Sequence, residues 1–445
     1  MRLQRLTIIR MQYHRPVSQK ESERANLLRV LFLTFIYFLF LFPVSIPGVP
    51  VGTAFIALGM MVAYTVVYSN MQAFSFGKSR TSKILKSYLW WTIFLILYVS
   101  VLQQLNGIID GSSPIGEYIN MLVMLPVFYV TGKYIVNNLK ELMLVLYLCG
   151  VIQAILIVVA RFSPIINIGL LLLFPEGAFE SDTRGGVEQL VMEGYSVGFG
   201  VITSAGCLRV AIAQIGSLYF LIHSKGGKQI FHLILYLLIT IATSLLARTG
   251  LLISVIGLLC VVWLKMKQGG GRAPKFILLI LTVVVVGIII INLFFTIDFL
   301  EEIFQRFVFL FENGVHDSYF RGYLGEGGDN TIPPISPETI IGLGITYGTS
   351  GNGISTITDG GFMRNYSAMG LIVAIINYVL IFNYFRMSYN YSRNLNNKAL
   401  ILFMSSIFLI GEFKETFIYY IFSMCFILLV FNLIERDDIE CDVEH

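Results

Sequence analysis

The segment from Val30 to Gly77 contains no Asp, Glu, Lys or Arg, which leaves 48 consecutive residues without a charged side chain. About 20 apolar residues suffice to cross the hydrocarbon core of a bilayer, and no ordinary core helix of a soluble domain needs so long an uncharged run. Of the 445 residues, 56% are apolar and only 13% are charged, whereas about a quarter of a soluble domain is charged. The chain is therefore predicted to be an all-α polytopic membrane protein, with residues 1–445 forming a single integral membrane domain.

Uncharged stretches predict about twelve transmembrane helices. Pro43, Pro47 and Pro50 separate the first two, because proline is costly inside a helix. The predicted spans cover residues 30–46, 50–69, 87–106, 115–132, 142–160, 195–222, 229–247, 249–264, 276–297, 361–385, 399–411 and 416–434. Two long segments lie outside them, at about 161–194 and at about 298–360, the second between spans 9 and 10. Long connections often carry function, so both are candidate functional segments.

The distribution of Lys and Arg predicts the orientation of the chain. Seven of these residues precede Val30, and the loops on the same predicted face bring the total there to 23. The opposite face has seven, and Arg209 lies inside a span. By the positive-inside rule, both termini are cytoplasmic and both long segments are external. The net charge of +4 is therefore a topological signal and does not indicate binding to nucleic acid.

Arginine dominates the positive residues of the external face. Six of those seven residues are Arg, whereas 12 of the 23 on the cytoplasmic face are Lys. A planar guanidinium suits bidentate contact with phosphate or carboxylate, while Lys acts as a point charge. The bias predicts an anionic group bound at the external face; the alternative is that these side chains only snorkel at helix ends. The external set is Arg161, Arg184, Arg248, Arg306, Arg321, Arg364 and Lys414.

Two arginines have unusual predicted positions. Arg248 stands between two apolar runs with almost no loop, so it is predicted to be held at a rigid turn near the membrane surface. Arg209 lies sixteen residues from both Glu193 and Lys225, which places it within the bilayer. A charge there costs at least about 2.5–3.5 kcal/mol on insertion scales. Arg209 is therefore expected to face either a functional cavity or a buried structural partner.

Charged residues also flank the last three spans on the external side. Asp359 and Arg364 lie five residues apart where span 10 begins. A carboxylate that accepts a proton beside an arginine that holds a phosphate forms a workable acceptor-activating pair; an ordinary helix cap followed by an interfacial arginine is the alternative. Glu412, Lys414 and Glu415 crowd three charges into the tight turn before the last span, where mutual pairing is the plain interpretation.

Other features of the 298–360 segment are less specific. Residues 298–314 have apolar side chains at helical spacing and predict an amphipathic helix on the membrane surface. The glycine-containing segments 342–344 and 351–353 are candidate anion-binding nests. His316 is the single external histidine, and it is either solvated or catalytic. The five cysteines lack the CxxC spacing of a metal or redox site, so no metal or cofactor is expected.

Taken in order, these elements resemble the Wzy-type O-antigen and capsule repeat-unit polymerases, within the polytopic O-antigen polymerase and ligase superfamily. The resemblance covers about residues 180–420, and each motif is short. Their order, spacing and sidedness carry the resemblance together. The matching elements are Arg184-Gly185, Arg248-Thr249-Gly250, the segment 339–344, the segment 358–364 with Gly370, and the turn 412–415.

The resemblance implies a C-type glycosyltransferase-like fold in the bacterial cytoplasmic (inner) membrane, with a metal-independent active site on the periplasmic face. The donor would be a growing glycan on undecaprenyl diphosphate, and the acceptor would be the terminal sugar of another undecaprenyl-diphosphate-linked repeat unit. Arg248 and Arg364 would bind the diphosphate, and Asp359 would activate or orient the acceptor. Supporting contacts to diphosphate or glycan would come from Arg184, Arg209, Arg306 and Lys414. Besides these lipid-linked oligosaccharides and the bilayer, a chain-length regulator protein is a partner that the resemblance allows.

Two other functions share this predicted topology. A lipid-linked oligosaccharide flippase or other transporter also has about twelve spans, but such proteins often show internal repeats and midplane ionisable residues. Here the two halves do not resemble each other, and the polar residues cluster towards the external side rather than midway through the bilayer, Arg209 excepted. The related O-antigen ligases carry a His at about the position of Asp359, so the carboxylate favours the polymerase.

Overall fold

The computed structural model describes residues 19–44, 52–69, 79–171, 173, 197–201, 203–294, 334–356 and 360–443. Within these ranges the chain is mostly helical. The helices are α1 (Gln19–Leu41), α2 (Thr53–Ser69), α3 (Arg80–Asn106), α4 (Ile115–Ile135), α5 (Leu139–Phe162), α6 (Pro164–Leu171), α7 (Thr203–His223), α8 (Gly227–Leu246), α9 (Arg248–Lys267), α10 (Arg272–Phe294), α11 (Pro337–Ile341), α12 (Gly361–Tyr391), α13 (Leu395–Lys414) and α14 (Ile421–Val443), with a 3₁₀ turn at Phe417–Tyr419. The strands are β1 (Ile108–Ser112), β2 (Tyr347–Ser350) and β3 (Ser355–Thr356).

The helices confirm the prediction of a polytopic membrane protein. A helix coincides with most of each predicted span. Among the described residues, eight helices are long and apolar enough to cross a bilayer, namely α3, α4, α5, α7, α8, α9, α12 and α13. Shorter apolar stretches lie in α1 (Asn26–Leu41) and in α2 (Thr53–Val67).

Two predicted spans begin later than the uncharged runs indicated. The sixth, predicted from residue 195, begins as helix only at Thr203, because residues 198–201 form a turn. In that turn Gly200 has φ +63° and lies against the carbonyls of Phe42 and Pro43, a position in which a Cβ would collide. The last span begins at Ile421 rather than 416, since the 3₁₀ turn precedes it.

The helices are accompanied by one small antiparallel sheet, in the order β1-β2-β3, which the sequence analysis did not predict. β1 follows α3, and it pairs with β2 from the 298–360 segment. The Thr346 amide also donates to the Ser112 carbonyl at 3.0 Å. The described end of the long segment is therefore fastened to the connection between α3 and α4. Strands this short have no alternation long enough to be recognised in the sequence.

Close packing around α7 forms the centre of the bundle, where α7 contacts α5, α8, α9 and α13. Gly216 of α7 lies against the backbone of Met143 and Tyr147 in α5, and Gly150 of α5 lies against Ala213 of α7. Small residues let helix backbones approach closely inside a membrane, where packing rather than the hydrophobic effect drives association.

The bundle has two ends, which we name the basic end and the loop end. At the basic end, Arg29 of α1 pairs with Glu141 of α5 at 3.2 Å. Glu435 of α14 accepts hydrogen bonds there from the amides of Arg80 and Thr81, at the start of α3, at 2.7 and 3.0 Å. At the loop end, α3, α5, α8 and α13 finish and α4, α7, α9 and α12 begin. The two long segments predicted to be external connect helices at the loop end.

Candidate functional site

The first turn of α12 and the turn after α13 meet at the loop end. Gly361 lies so close to the Glu415 backbone and the Glu412 carboxylate that an added Cβ would collide with both. The rings of Phe362 and Phe413 pack edge to face, with centroids 5.1 Å apart. Two motifs that are distant in the sequence therefore form one surface.

Arg364 lies in the first turn of α12 and is half-buried. It interacts electrostatically with Glu117 of α4 and with Tyr420, which lies between the 3₁₀ turn and α14. The N-terminal end of a helix also carries positive potential from its unpaired backbone amides. Arg364 and the start of α12 thus favour an anion at the same place.

Arg209 approaches this surface from α7. Its guanidinium donates a hydrogen bond to the Gly200 carbonyl at 3.1 Å and lies 5.2 Å from the centroid of the Phe422 ring. Like Arg364, it interacts electrostatically with Tyr420. Of the two alternatives predicted for Arg209, the structure shows polar and aromatic neighbours inside the protein, which leaves a functional role open. Arg209 and Arg364 both act electrostatically on Tyr420.

The Tyr420 hydroxyl links the two arginines to the acidic side of the site. It donates a hydrogen bond to the Glu415 carboxylate at 3.0 Å. Burial, together with the negative charge of Glu415, raises the pKa of Tyr420 well above its ordinary value. The hydroxyl therefore stays protonated across the physiological range and keeps donating to Glu415.

Glu412 is fully buried and holds the turn between α13 and α14. Its carboxylate accepts hydrogen bonds from the Ile418 amide and from the Tyr378 hydroxyl, the latter at 2.9 Å. Tyr378 in turn accepts a bond from the Asn365 side chain at 2.6 Å. The interpretation that Glu412 simply pairs with its charged neighbours is therefore incomplete, because this carboxylate joins the turn to α12.

Replacing Glu412 by Ala is expected to destabilise the fold by about 2 kcal/mol or more, since it strands the Ile418 amide and the Tyr378 hydroxyl without their acceptor. Glu412→Gln keeps one acceptor oxygen and should cost less. Thermal unfolding of both variants, followed by intrinsic fluorescence in the same detergent, measures the difference. Equal melting temperatures for wild type and Glu412→Ala would contradict this role.

Arg248 has the position that the sequence predicted. Only Ala247 separates α8 from α9, and Arg248 is the first residue of α9 and is exposed at the loop end. Gly250 packs against Thr243 of α8 and Cys207 of α7, so closely that a Cβ would collide with both. The turn is therefore short and closely packed, and the prediction that it is rigid stays a prediction. Lys414 is half-buried in the last turn of α13.

Several predicted site residues lie outside the described part of the chain. They are Asp359, Arg184, Arg306, Arg321 and His316, together with the amphipathic helix predicted over 298–314. Gly360, which follows Asp359, is the N-cap of α12. The roles of these residues stay predictions.

The prediction of anion-binding nests is wrong for the amides that the structure describes in the two glycine segments. The amides of Leu343 and Gly344 donate to the carbonyls of Ser367 and Ala368 in α12, at 2.7 and 3.1 Å. Those carbonyls are available because α12 is kinked at Gly370 (φ 78°, ψ 162°). In the second segment, the Gly351 amide donates to the Gly107 carbonyl at 3.1 Å, and the Gly353 amide donates to the Ser350 carbonyl at 2.9 Å.

Glu117 is a site residue that the sequence analysis missed. It lies in the first turn of α4 and interacts electrostatically with Arg364 and Glu415. Its Oε2 atom is buried and receives no hydrogen bond from the described residues. The available signal was that Glu117 is the sole charged residue in predicted span 115–132. An ionisable residue within a span is a candidate functional residue by default.

The loop-end cluster thus combines two guanidinium groups with three carboxylates and a protonated tyrosine. This arrangement suits binding of a phosphate-containing anion next to a group that accepts a proton. Among the described residues, no three His, Cys, Asp or Glu side chains converge as they would around a metal ion. Comparison with protein-family models, curated proteins and solved structures finds no significant match.

Proposed function

We propose that the protein is a polysaccharide polymerase of the bacterial cytoplasmic membrane, with a C-type glycosyltransferase-like fold of twelve spans. It transfers a growing glycan from undecaprenyl diphosphate to the terminal sugar of another undecaprenyl-diphosphate-linked repeat unit. Both termini are cytoplasmic, so the loop end faces outward and the transfer takes place at the external face.

One observation carries the proposal: the first turn of α12 packs directly on the turn 412–415. Both segments belong to the motifs on which the resemblance rests, and nothing in local sequence requires them to touch. Arg364 lies in that first turn and interacts with the Glu117 carboxylate of α4, at the end of the bundle that the positive-inside rule assigns to the outside.

The reaction needs negative charge to be neutralised as the lipid diphosphate leaves. Arg364 and Arg248 supply guanidinium groups for that diphosphate, and Arg209 supports them. A donor that is well placed for charge developing in the transition state contributes about 3–4 kcal/mol. Arg184, Arg306 and Lys414 extend the positive surface along the diphosphate or the glycan, and Asp359 orients the acceptor.

The glycosidic link to diphosphate supplies the energy of transfer, so no ATP is needed outside the cytoplasm. The chemistry assigned to the protein is to hold two lipid-linked substrates at one place and to stabilise the leaving group. Both substrates have membrane-embedded lipid tails, which fits a site at the mouth of a helix bundle.

The test is a transfer assay with purified protein in lipid discs, supplied with undecaprenyl-diphosphate repeat units from the same gene cluster. Products are separated on a gel. A ladder of lengthening glycans is expected. Discs have no separate compartments, so a transporter gives no ladder there, and an O-antigen ligase needs a lipid acceptor other than undecaprenyl diphosphate. If this protein gives no ladder and instead moves labelled lipid-linked oligosaccharide across sealed vesicles, the proposal is wrong.

A further inference from the structure

The carboxylates of Glu117, Glu412 and Glu415 interact with one another at the loop end, and Arg364 interacts with the first of them. The other two accept hydrogen bonds from neighbouring groups. Glu412 accepts bonds from the Ile418 amide and the Tyr378 hydroxyl, and Glu415 accepts a bond from Tyr420. Glu117 differs, because its Oε2 is buried and no donor among the described residues reaches it. Burying a carboxylate oxygen without a donor is unfavourable. Its position beside Arg364 indicates a donor that arrives with the substrate.

A second buried acceptor atom in the loop-end cluster also lacks a hydrogen-bond donor among the described residues. Asn365 follows Arg364 and is fully buried, and its Oδ1 also receives no hydrogen bond from the described residues. Its amide nitrogen is used, since it donates to Tyr378. Two unused acceptors next to one arginine fit a ligand that carries both hydroxyl groups and negative charge, as a glycan diphosphate does.

The fold holds Glu117 in a fixed position. It lies in the first turn of α4, three residues after Pro114, which caps that helix. The preceding strand β1 is paired with β2 of the long segment. Next to Glu117, the ring of Tyr118 packs on that of Tyr419 with centroids 4.6 Å apart. The start of α4 is therefore joined to both the long segment and the turn that carries Tyr420.

We propose that Glu117 is the catalytic base that takes the proton from the acceptor hydroxyl, an inference that rests on the proposed polymerase function. The acceptor oxygen forms a bond to the anomeric carbon of the donor glycan. The bond from that carbon to the diphosphate oxygen breaks, and undecaprenyl diphosphate leaves with the electron pair. The hydroxyl proton passes to the Glu117 carboxylate and then to water. Arg364 keeps the departing diphosphate beside this carboxylate, and Asp359 orients the acceptor sugar.

The test compares Glu117→Gln with wild type in the disc assay. Loss of a positioned base is expected to lower the rate of ladder formation by about 10²–10⁴-fold, while affinity for the lipid-linked donor stays unchanged. The matched control is Glu338→Gln, which removes an exposed carboxylate of α11 and should leave the rate unchanged. Formate added to Glu117→Ala should restore part of the rate, which a merely structural role would not allow.

The pH profile separates a base from a positioning residue. Wild-type activity should fall as the medium becomes acidic and the base is protonated, and Glu117→Gln should lack this fall. The other titratable or charged groups that face Glu117 are Arg364, Glu412, Glu415, Tyr118 and Tyr419, and all of them are intact in the variant. If Glu117→Gln does not fold, Glu117→Asp is the replacement variant, because it keeps a carboxylate. Its activity should still fall as the medium becomes acidic.

The outcomes distinguish this inference from the proposed function. If wild type makes a ladder and Glu117→Gln makes it at a similar rate, Glu117 is not the base and the polymerase stands. If Glu117→Gln loses donor affinity and formate restores nothing, the residue positions Arg364 and the inference fails. If wild type makes no ladder with a matched glycan, the proposed function and the inference fail together.

Discussion

Arg364→Ala should abolish the ladder of products, with a fall in rate of about 10²–10³-fold or more. Removal of one well-placed electrostatic donor has an effect of this size. The side chain lies at the start of α12, where the helix potential and its own charge act on the same anion. Arg364→Lys keeps the charge but loses the planar fork, so partial activity at best is expected. The rate of glycan lengthening, measured in discs at saturating donor, gives the comparison.

The control for Arg364 is Arg272→Ala, which removes an exposed arginine at the basic end. It should leave the rate unchanged, and both variants should melt at the wild-type temperature. The rate of glycan lengthening should also be measured for Arg248→Ala, since Arg248 is predicted to bind the same diphosphate from α9. If Arg364→Ala folds normally and lengthens glycans as fast as Arg272→Ala, the assignment of the diphosphate site is wrong.

Gly370→Ala should detach the described end of the long segment from α12. Gly370 has φ 78°, a conformation that L side chains rarely adopt, and an added Cβ would collide with the Ile341 carbonyl. With ψ 162°, this conformation is essentially restricted to glycine, and it costs another residue roughly 1–3 kcal/mol before any collision is counted. If α12 straightens in response, the carbonyls of Ser367 and Ala368 lose the amides of the long segment. A lower melting temperature and faster proteolysis between residues 334 and 356 are expected.

Gly287→Ala is the matched control for Gly370. It lies in α10, and no atom stands within 4 Å of its added Cβ. Alanine favours a helix over glycine by about 1 kcal/mol, so this variant should be as stable as wild type or slightly more so. If Gly370→Ala and Gly287→Ala had the same melting temperature and the same rate of proteolysis, the interpretation of the kink would be contradicted.

The helical framework could be predicted from the sequence because crossing a bilayer is a local requirement. Uncharged runs of sufficient length mark the spans. The tight turn at Arg248 could also be predicted, because two apolar runs adjoin there, and the structure leaves only Ala247 between their helices. The start of α7 could not be predicted in this way. The turn at 198–201 is as uncharged as the helix after it, and it depends on contact with Phe42 and Pro43.

The site was predictable in part for the same physical reason. The positions of the charged residues and the order of the motifs along the chain indicated Arg364, Arg209 and the turn 412–415. The structure brings these elements together. Glu117 was missed because its partners come from α12 and α13, and no local pattern records that contact. The 342–344 segment was misassigned because glycines that expose amides to an anion and glycines that pack against a kinked helix look alike in sequence.

The most direct test of the central claim counts two products of one reaction. Purified protein in discs, given undecaprenyl-diphosphate repeat units, should release one undecaprenyl diphosphate for each new glycosidic bond, and Arg364→Ala should lose both together. Release of the lipid diphosphate without a new bond would make the protein a hydrolase. New bonds without release would require another donor. Either result would contradict transfer of a glycan from undecaprenyl diphosphate.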